Sequence, residues 1–216
     1  MVIRTIMTKK QMHEFFARLR DRNPEPKSEL LYHDPFTLLV AVVLSAQATD
    51  KGVNKATPAL FAVADTPAKM AALGEDRIRD YIRSINFFNN KTKNILALSQ
   101  ALVAQHGGVV PQTREELVKL PGVGRKTANV VLNVAFGQPT MAVDTHIHRV
   151  ANRTGMVKEP TPEKTELALL KVVPAEFMSH AHHWLILHGR YVCKARKPDC
   201  PACPVRDLCG FRDKTN

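Results

Sequence analysis

Four cysteines crowd into the last 24 residues: Cys193, Cys200, Cys203 and Cys209, spaced C-x6-C-x2-C-x5-C. Thiols at that density pair as disulfides or hold a metal. Two disulfides would suit a small secreted domain. The start of the chain, Met1–Met7, has no long apolar region and no small-residue cleavage site, so no secretory signal is expected. A structural zinc site usually uses two separated C-x2-C knuckles, and only one C-x2-C is present. A 4Fe–4S cluster also takes four thiolates, and one compact loop can wrap it with uneven spacings. The residues alone leave zinc and iron–sulfur open. Either would fold a tail too polar to pack unaided. Lys194, Arg196 and Lys197 lie between the first two cysteines, where a loop set by its metal would hold three cations toward a phosphate backbone.

The second chemical signal is Leu120-Pro-Gly-Val-Gly-Arg-Lys-Thr-Ala-Asn-Val-Val-Leu132. A helix capped at Thr113 is expected to end at Leu120. Gly122 and Gly124 would permit a tight turn with positive φ, and a second helix would start near Arg125. Outward N–H groups there would form an anion site for phosphate. A nucleotide-binding P-loop fits worse, because G-x-x-x-x-G-K-S/T is absent and no strand precedes the turn. Lys126 falls in the first turn of the second helix. Arg125 and the helix dipole disfavour a charged ammonium there, and a neutral amine is a nucleophile able to form a Schiff base. Position alone fits a phosphate-contacting lysine better. Asp144 follows a short apolar run and suits a helix N-cap, a carboxylate facing a developing cation, or both. His146 and His148 are two apart and cannot share a helix face, so they are not expected to pair on a metal.

These residues must be positioned by helices. Met12, Phe15, Phe16 and Leu19 mark one apolar helix face, and Ile95, Leu98 and Leu102 repeat the spacing. Asp34-Pro35, Thr66-Pro67 and Thr161-Pro162 each read as a cap followed by a first-turn proline. Thr8 with Gln11, and Thr113 with Glu116, fit capping boxes. About ten helices are expected, with strand evidence limited to pieces such as Met141–Val143. His180, His182, His183 and His188 are expected to pack within the helix around Trp184.

The chain has 216 residues with 31 Lys+Arg against 20 Asp+Glu, a net charge of +11. Its hydrophobic share of 44% is ample for a core, which excludes a wholly disordered chain. The longest apolar run, Leu38–Leu44, is far too short to span a membrane. Residues 1–30 carry +3, residues 85–126 carry +4 and residues 189–216 carry +4, while the rest is neutral. A polyanion such as nucleic acid is the partner this charge suggests.

Taken together, Leu44-Ser-Ala-Gln-Ala-Thr-Asp50, Leu120–Val131, Val143-Asp-Thr-His146, His183-Trp-Leu-Ile-Leu-His-Gly-Arg190 and the cysteine tail resemble the endonuclease III family of the helix-hairpin-helix (HhH-GPD) DNA glycosylase superfamily. The resemblance implies an all-α, two-lobed fold. Residues 28–138 would form a six-helix barrel lobe with the helix-hairpin-helix at about 113–135. Residues 1–27 and 139–216 would form a discontinuous lobe holding a 4Fe–4S cluster in the loop 193–209. It implies a base excision repair enzyme, a bifunctional DNA glycosylase and abasic-site lyase acting on oxidised pyrimidines in duplex DNA. Lys126 would be the nucleophile forming a Schiff base before β-elimination, and Asp144 the essential carboxylate. Gln47 would enter the duplex where the base has left. Phe87 would be a wedge, although Asn86 stands where the family commonly has glycine. Gly122, Gly124, Arg125, Lys194 and Arg196 would meet DNA. A monomer in the cytoplasm, associated with the nucleoid, is expected, with no membrane contact. The alternative is a non-catalytic helix-hairpin-helix module that binds damaged or abasic DNA.

Overall fold

A computed structural model describes residues 6–216; Met1–Thr5, part of the basic N-terminal stretch and of the start where no secretory signal is expected, lie outside the described residues. The described residues contain eleven α-helices, one 3-10 turn and no strand. They divide into two compact units, Ser28–Gln138 and the described part of Met1–Lys27 together with Pro139–Asn216.

Several of the cap signals act as the residue types require. Thr8 and Gln11 form a reciprocal capping box at α1 (Lys9–Arg22). Asp34 starts α2 (Pro35–Ser45), where Thr37 returns the bond, an exchange the proline signal had not revealed. In the Ser28–Gln138 unit α2 is apolar on every side and nine consecutive residues, Phe36–Leu44, are buried, so it forms the middle of the core. Around it lie α3 (Asp50–Val63), α4 (Pro67–Leu73), α5 (Glu75–Ile82), α6 (Phe88–His106), α7 (Arg114–Leu117) and α8 (Arg125–Phe136). The apolar face expected from Ile95, Leu98 and Leu102 is fully buried on α6.

In the other unit, Met12, Phe15, Phe16 and Leu19 of α1 pack with α9 (Thr145–Thr154), α10 (Pro162–Val172) and α11 (Met178–Tyr191). Gly189 allows α9 and α11 to touch, since a Cβ there would sit 2.9 Å from the His146 Cβ. Trp184 Nε1 donates to the Asn23 carbonyl at 2.8 Å, fixing the end of α1. Met141–Val143 is buried but forms no strand.

Two expectations about the hairpin need correction. The helix capped by Thr113 ends at Leu117, not Leu120. Lys119, Leu120 and Val123 instead donate to the carbonyls three residues back, which tightens the chain, and Pro121 cannot continue a helix. Of the two hairpin glycines, only Gly122 is left-handed, at φ +76, while Gly124 is extended at φ −90, ψ 174.

Candidate active site and cluster pocket

The hairpin turn is built around Gly122. A Cβ there would lie 2.8 Å from Asn94 Cβ, so both the positive φ and the packing exclude a side chain. Gly124 then occupies the N-cap of α8 with no side-chain cap bond, and nothing lies within 4 Å of where its Cβ would be. The start of α8 is thus bare on its outer side, and its first two residues, Arg125 and Lys126, are exposed. A helix N-terminus with no side-chain cap and two exposed basic residues suits an anionic group.

The same unit gathers Gln47, Phe87 and Gly122 around one open pocket, together with Asn90, Lys91 and Asn94. Gln47 (φ +54) and Phe87 (φ +58) are two of only three non-glycine residues with positive φ among those described. Such backbone strain in exposed residues recurs at functional sites. Phe87 is 61% exposed, so it is not a core residue. Asn86 is not left-handed; Phe87 takes the special conformation in its place. Lys91 was not singled out by the sequence reading, because a lysine on a long helix reads as a solvated one. It is only 5% exposed, and its Nζ donates to the Leu44 carbonyl at 2.9 Å. Burial lowers its pKa.

Asp144 belongs to the other unit. It is the N-cap of α9, accepting from Ile147 N at 2.9 Å. His146 and His148 turn to separate partners, Arg149 and Thr165, as their spacing required. The histidines of α11 meet aromatic neighbours: His180 lies against Trp184, His182 against His183, and His188 against Phe15. Burial pushes His183 and His188 down to about 4.

The four cysteines are free thiols that line one pocket. Two N–H donors and one histidine ring nitrogen approach them. Arg153 Nη1 lies 3.6 Å from Cys193 Sγ, Phe211 N lies 3.5 Å from Cys209 Sγ, and His188 Nε2 lies 3.8 Å from Cys203 Sγ. Arg153 also donates to the carbonyls of Lys194 and Ala195, and its guanidinium lies over the Phe211 ring. Arg149 reaches the Cys193 carbonyl. These contacts fix the loop that carries Lys194 and Arg196, both exposed. Arg153 escaped the sequence reading because it stands 40 residues before Cys193 and reaches the pocket only through packing; His188, expected to pack within its helix, also meets Cys203. Burial raises the Cys203 thiol to about 11 and the Cys209 thiol as well. Four free thiols lining one pocket, with the N–H donors of Arg153 and Phe211 aimed at sulfur, fit an iron–sulfur cluster, whose sulfurs accept such bonds.

Comparison with known proteins bears on both sites. Residues 40–175 match the family described as HhH-GPD superfamily base excision DNA repair protein. Residues 193–209 match the iron–sulfur binding domain of endonuclease III. The chain is 55% identical over 210 residues to endonuclease III of Escherichia coli strain K12, covering 97% of this chain and all of that one. It is 56% identical over 200 residues to endonuclease III of Rickettsia conorii, covering 93% and 95%. A solved trapped covalent complex of endonuclease III with DNA matches at a TM-score of 0.88 and 45% identity, covering 94% of this chain and 96% of that one. A thermostable thymine-DNA glycosylase, at a TM-score of 0.82 and 24% identity, shares the fold.

Proposed function

The chain belongs to the endonuclease III family of HhH-GPD base excision DNA repair proteins, and from that premise we propose how its residues divide the chemistry. It is a DNA glycosylase and abasic-site lyase with a 4Fe–4S cluster held by Cys193, Cys200, Cys203 and Cys209. Among the described residues no helix is long and apolar enough to cross a membrane. The proposed substrate is an oxidised pyrimidine in duplex DNA, met by a monomer working in the cytoplasm at the nucleoid.

A base in the stack hides its sugar carbon, so the nucleotide must first leave the duplex. Gln47 and Phe87, exposed and held in left-handed conformations at one pocket, are suited to fill the space it vacates. Gly122, Gly124 and Arg125 receive the phosphate backbone at the bare start of α8, which brings the DNA to Lys126. The Lys126 amine attacks C1′ as the glycosidic bond breaks, and the departing base takes a proton. The amine joined to C1′ gives up a proton, the C1′–O4′ bond opens as O4′ takes a proton, and the iminium left on C1′ acidifies the proton at C2′. Loss of that proton breaks the bond from C3′ to its phosphate oxygen, and water then frees the lysine. Asp144, fixed as the N-cap of α9, supplies a carboxylate for the cationic sugar. Lys194 and Arg196 hold phosphates from the cluster loop. When bound, the cluster would set the shape of the loop that carries Lys194 and Arg196.

The observation that carries this reading is an exposed lysine at a helix N-terminus, in a fold shared with a protein caught covalently on DNA. Borohydride reduction in the presence of abasic duplex should trap the chain on DNA, and Lys126→Ala should abolish trapping while leaving binding. A Lys126→Ala protein that traps at the parental rate assigns the nucleophile wrongly. Tight abasic-site binding by the parent with no strand cleavage would instead describe a binding module. Anaerobic purification should give a coloured protein containing iron, not stoichiometric zinc.

A further inference from the structure

The last turn of a helix leaves four carbonyls without intrahelical donors. At the end of α2 each of them has a partner. Val42 accepts from Ser45 Oγ at 2.8 Å, Val43 from Ala46 N at 3.4 Å, and Ser45 from Ala48 N at 3.0 Å. The Leu44 carbonyl is met from another helix, by Lys91 Nζ at 2.9 Å. One turn earlier on α6, the Lys91 backbone N–H donates to the Phe87 carbonyl at 3.1 Å. Asn86 Nδ2 adds a longer bond to the Gln47 carbonyl, 3.4 Å.

Lys91 thus connects two strained places. Its side chain closes the helix end from which the Ala46–Ala48 turn leaves, with Gln47 left-handed in it. Its backbone supports the left-handed Phe87. Left-handed Gln and Phe persist only where their surroundings over-determine them. A buried ammonium at the negative end of α2 is well placed to do this, and an apolar residue of the same length is not. We propose that Lys91 is a positioning residue for the pocket rim: it holds the Gln47 turn in its left-handed form, so that Gln47 and Phe87 stand together on one side of the pocket. The inference rests on the reading above that Gln47 enters the duplex, but it also makes a claim about the DNA-free protein.

The test replaces Lys91 with Met, which fills the space without donating, and with Gln, which keeps a donor; visible absorbance of the cluster reports an intact fold. Hydrogen exchange of the Ala46–Ala48 amides in the DNA-free protein should speed up about tenfold in Lys91→Met, the scale of a lost bond to a charged donor. Lys91→Gln should recover part of the protection, and it decides the matter if the Met variant does not fold. On abasic duplex, the loss should fall on the half-saturating DNA concentration, about tenfold, more than on the saturated trapping rate. Combining Lys91→Met with Gln47→Ala should add nothing further, because both remove one function. The salt dependence of binding should be unchanged. Unchanged exchange in both variants, additive losses with Gln47→Ala, or a salt slope reduced by about one, which would mark a direct phosphate contact, would each overturn the proposal. Faster exchange with no binding loss in Gln47→Ala would keep Lys91 as the clamp of the turn and remove Gln47 from the duplex.

Discussion

Gly122 and Gly124 look interchangeable in the sequence, yet alanine at each should do opposite things. At Gly122 two costs combine. A Cβ at φ +76 costs about 1–2 kcal/mol in left-handed backbone. It would also lie 2.8 Å from Asn94 Cβ and 2.9 Å from Asn94 Nδ2. Asn94 Cβ is the root of a side chain on α6 and cannot swing aside, so overpacking adds about 1–3 kcal/mol. Gly122→Ala should therefore lose roughly 2–5 kcal/mol of stability. At Gly124 the backbone is extended and no atom lies within 4 Å of the new methyl. A stiffer unfolded chain favours alanine by about 0.4–1 kcal/mol, and a poorer N-cap opposes it by about the same amount. Gly124→Ala should stay within about 0.5 kcal/mol of the parent. Its methyl would still stand at the bare start of α8, where the DNA backbone is proposed to approach. Urea unfolding followed by circular dichroism gives the stabilities, and titration with abasic duplex gives the affinities. Gly124→Ala should bind more weakly with parental stability. Parental stability in Gly122→Ala would refute the packing argument. Parental binding in Gly124→Ala would refute the close approach of DNA at the hairpin.

Three further outcomes are expected. His183, with its ring buried and pushed down to about 4, is neutral in the folded protein, whereas the unfolded chain takes up the proton near 6.5. Stability is therefore intact above about pH 6.5 and falls as pH drops through this window, by at most roughly 3 kcal/mol from this residue. Melting temperatures at pH 7, 6 and 5 should show a shallower decline in His183→Phe than in the parent, and parallel declines would disprove the assignment. Removing Lys194 or Arg196 should weaken binding to all duplexes alike and reduce the salt slope by about one each; an unchanged slope would take that residue off the phosphates. Phe87→Gly relieves left-handed strain at a 61% exposed position, so stability should stay within about 1 kcal/mol while abasic binding weakens about tenfold. A larger stability loss would make Phe87 a packing residue.

The helical class, most helix starts, the core faces of α1 and α6, and the candidate chemistry of the cysteine tail and the hairpin were legible in the residues alone. These are local properties. A cap acts on an N–H three residues away, an apolar stripe repeats every turn, and four cysteines within one tail face the same neighbourhood. Such signals need no knowledge of what lies across the core. The resemblance of five segments then gave the pattern a function. What only the tertiary structure decided were relations between residues far apart in the chain. Gly122 must be glycine because of Asn94, on another helix, while the sequence offered no way to tell it from Gly124. The left-handed position of the Phe87 loop depends on how α6 begins, and a residue pattern does not encode φ. Arg153 meets the cysteines only once α9 packs beside the tail. Lys91 resembles any surface lysine until α6 lies against the end of α2. Burial and the loss of water then turn its charge into a clamp on a carbonyl 47 residues away.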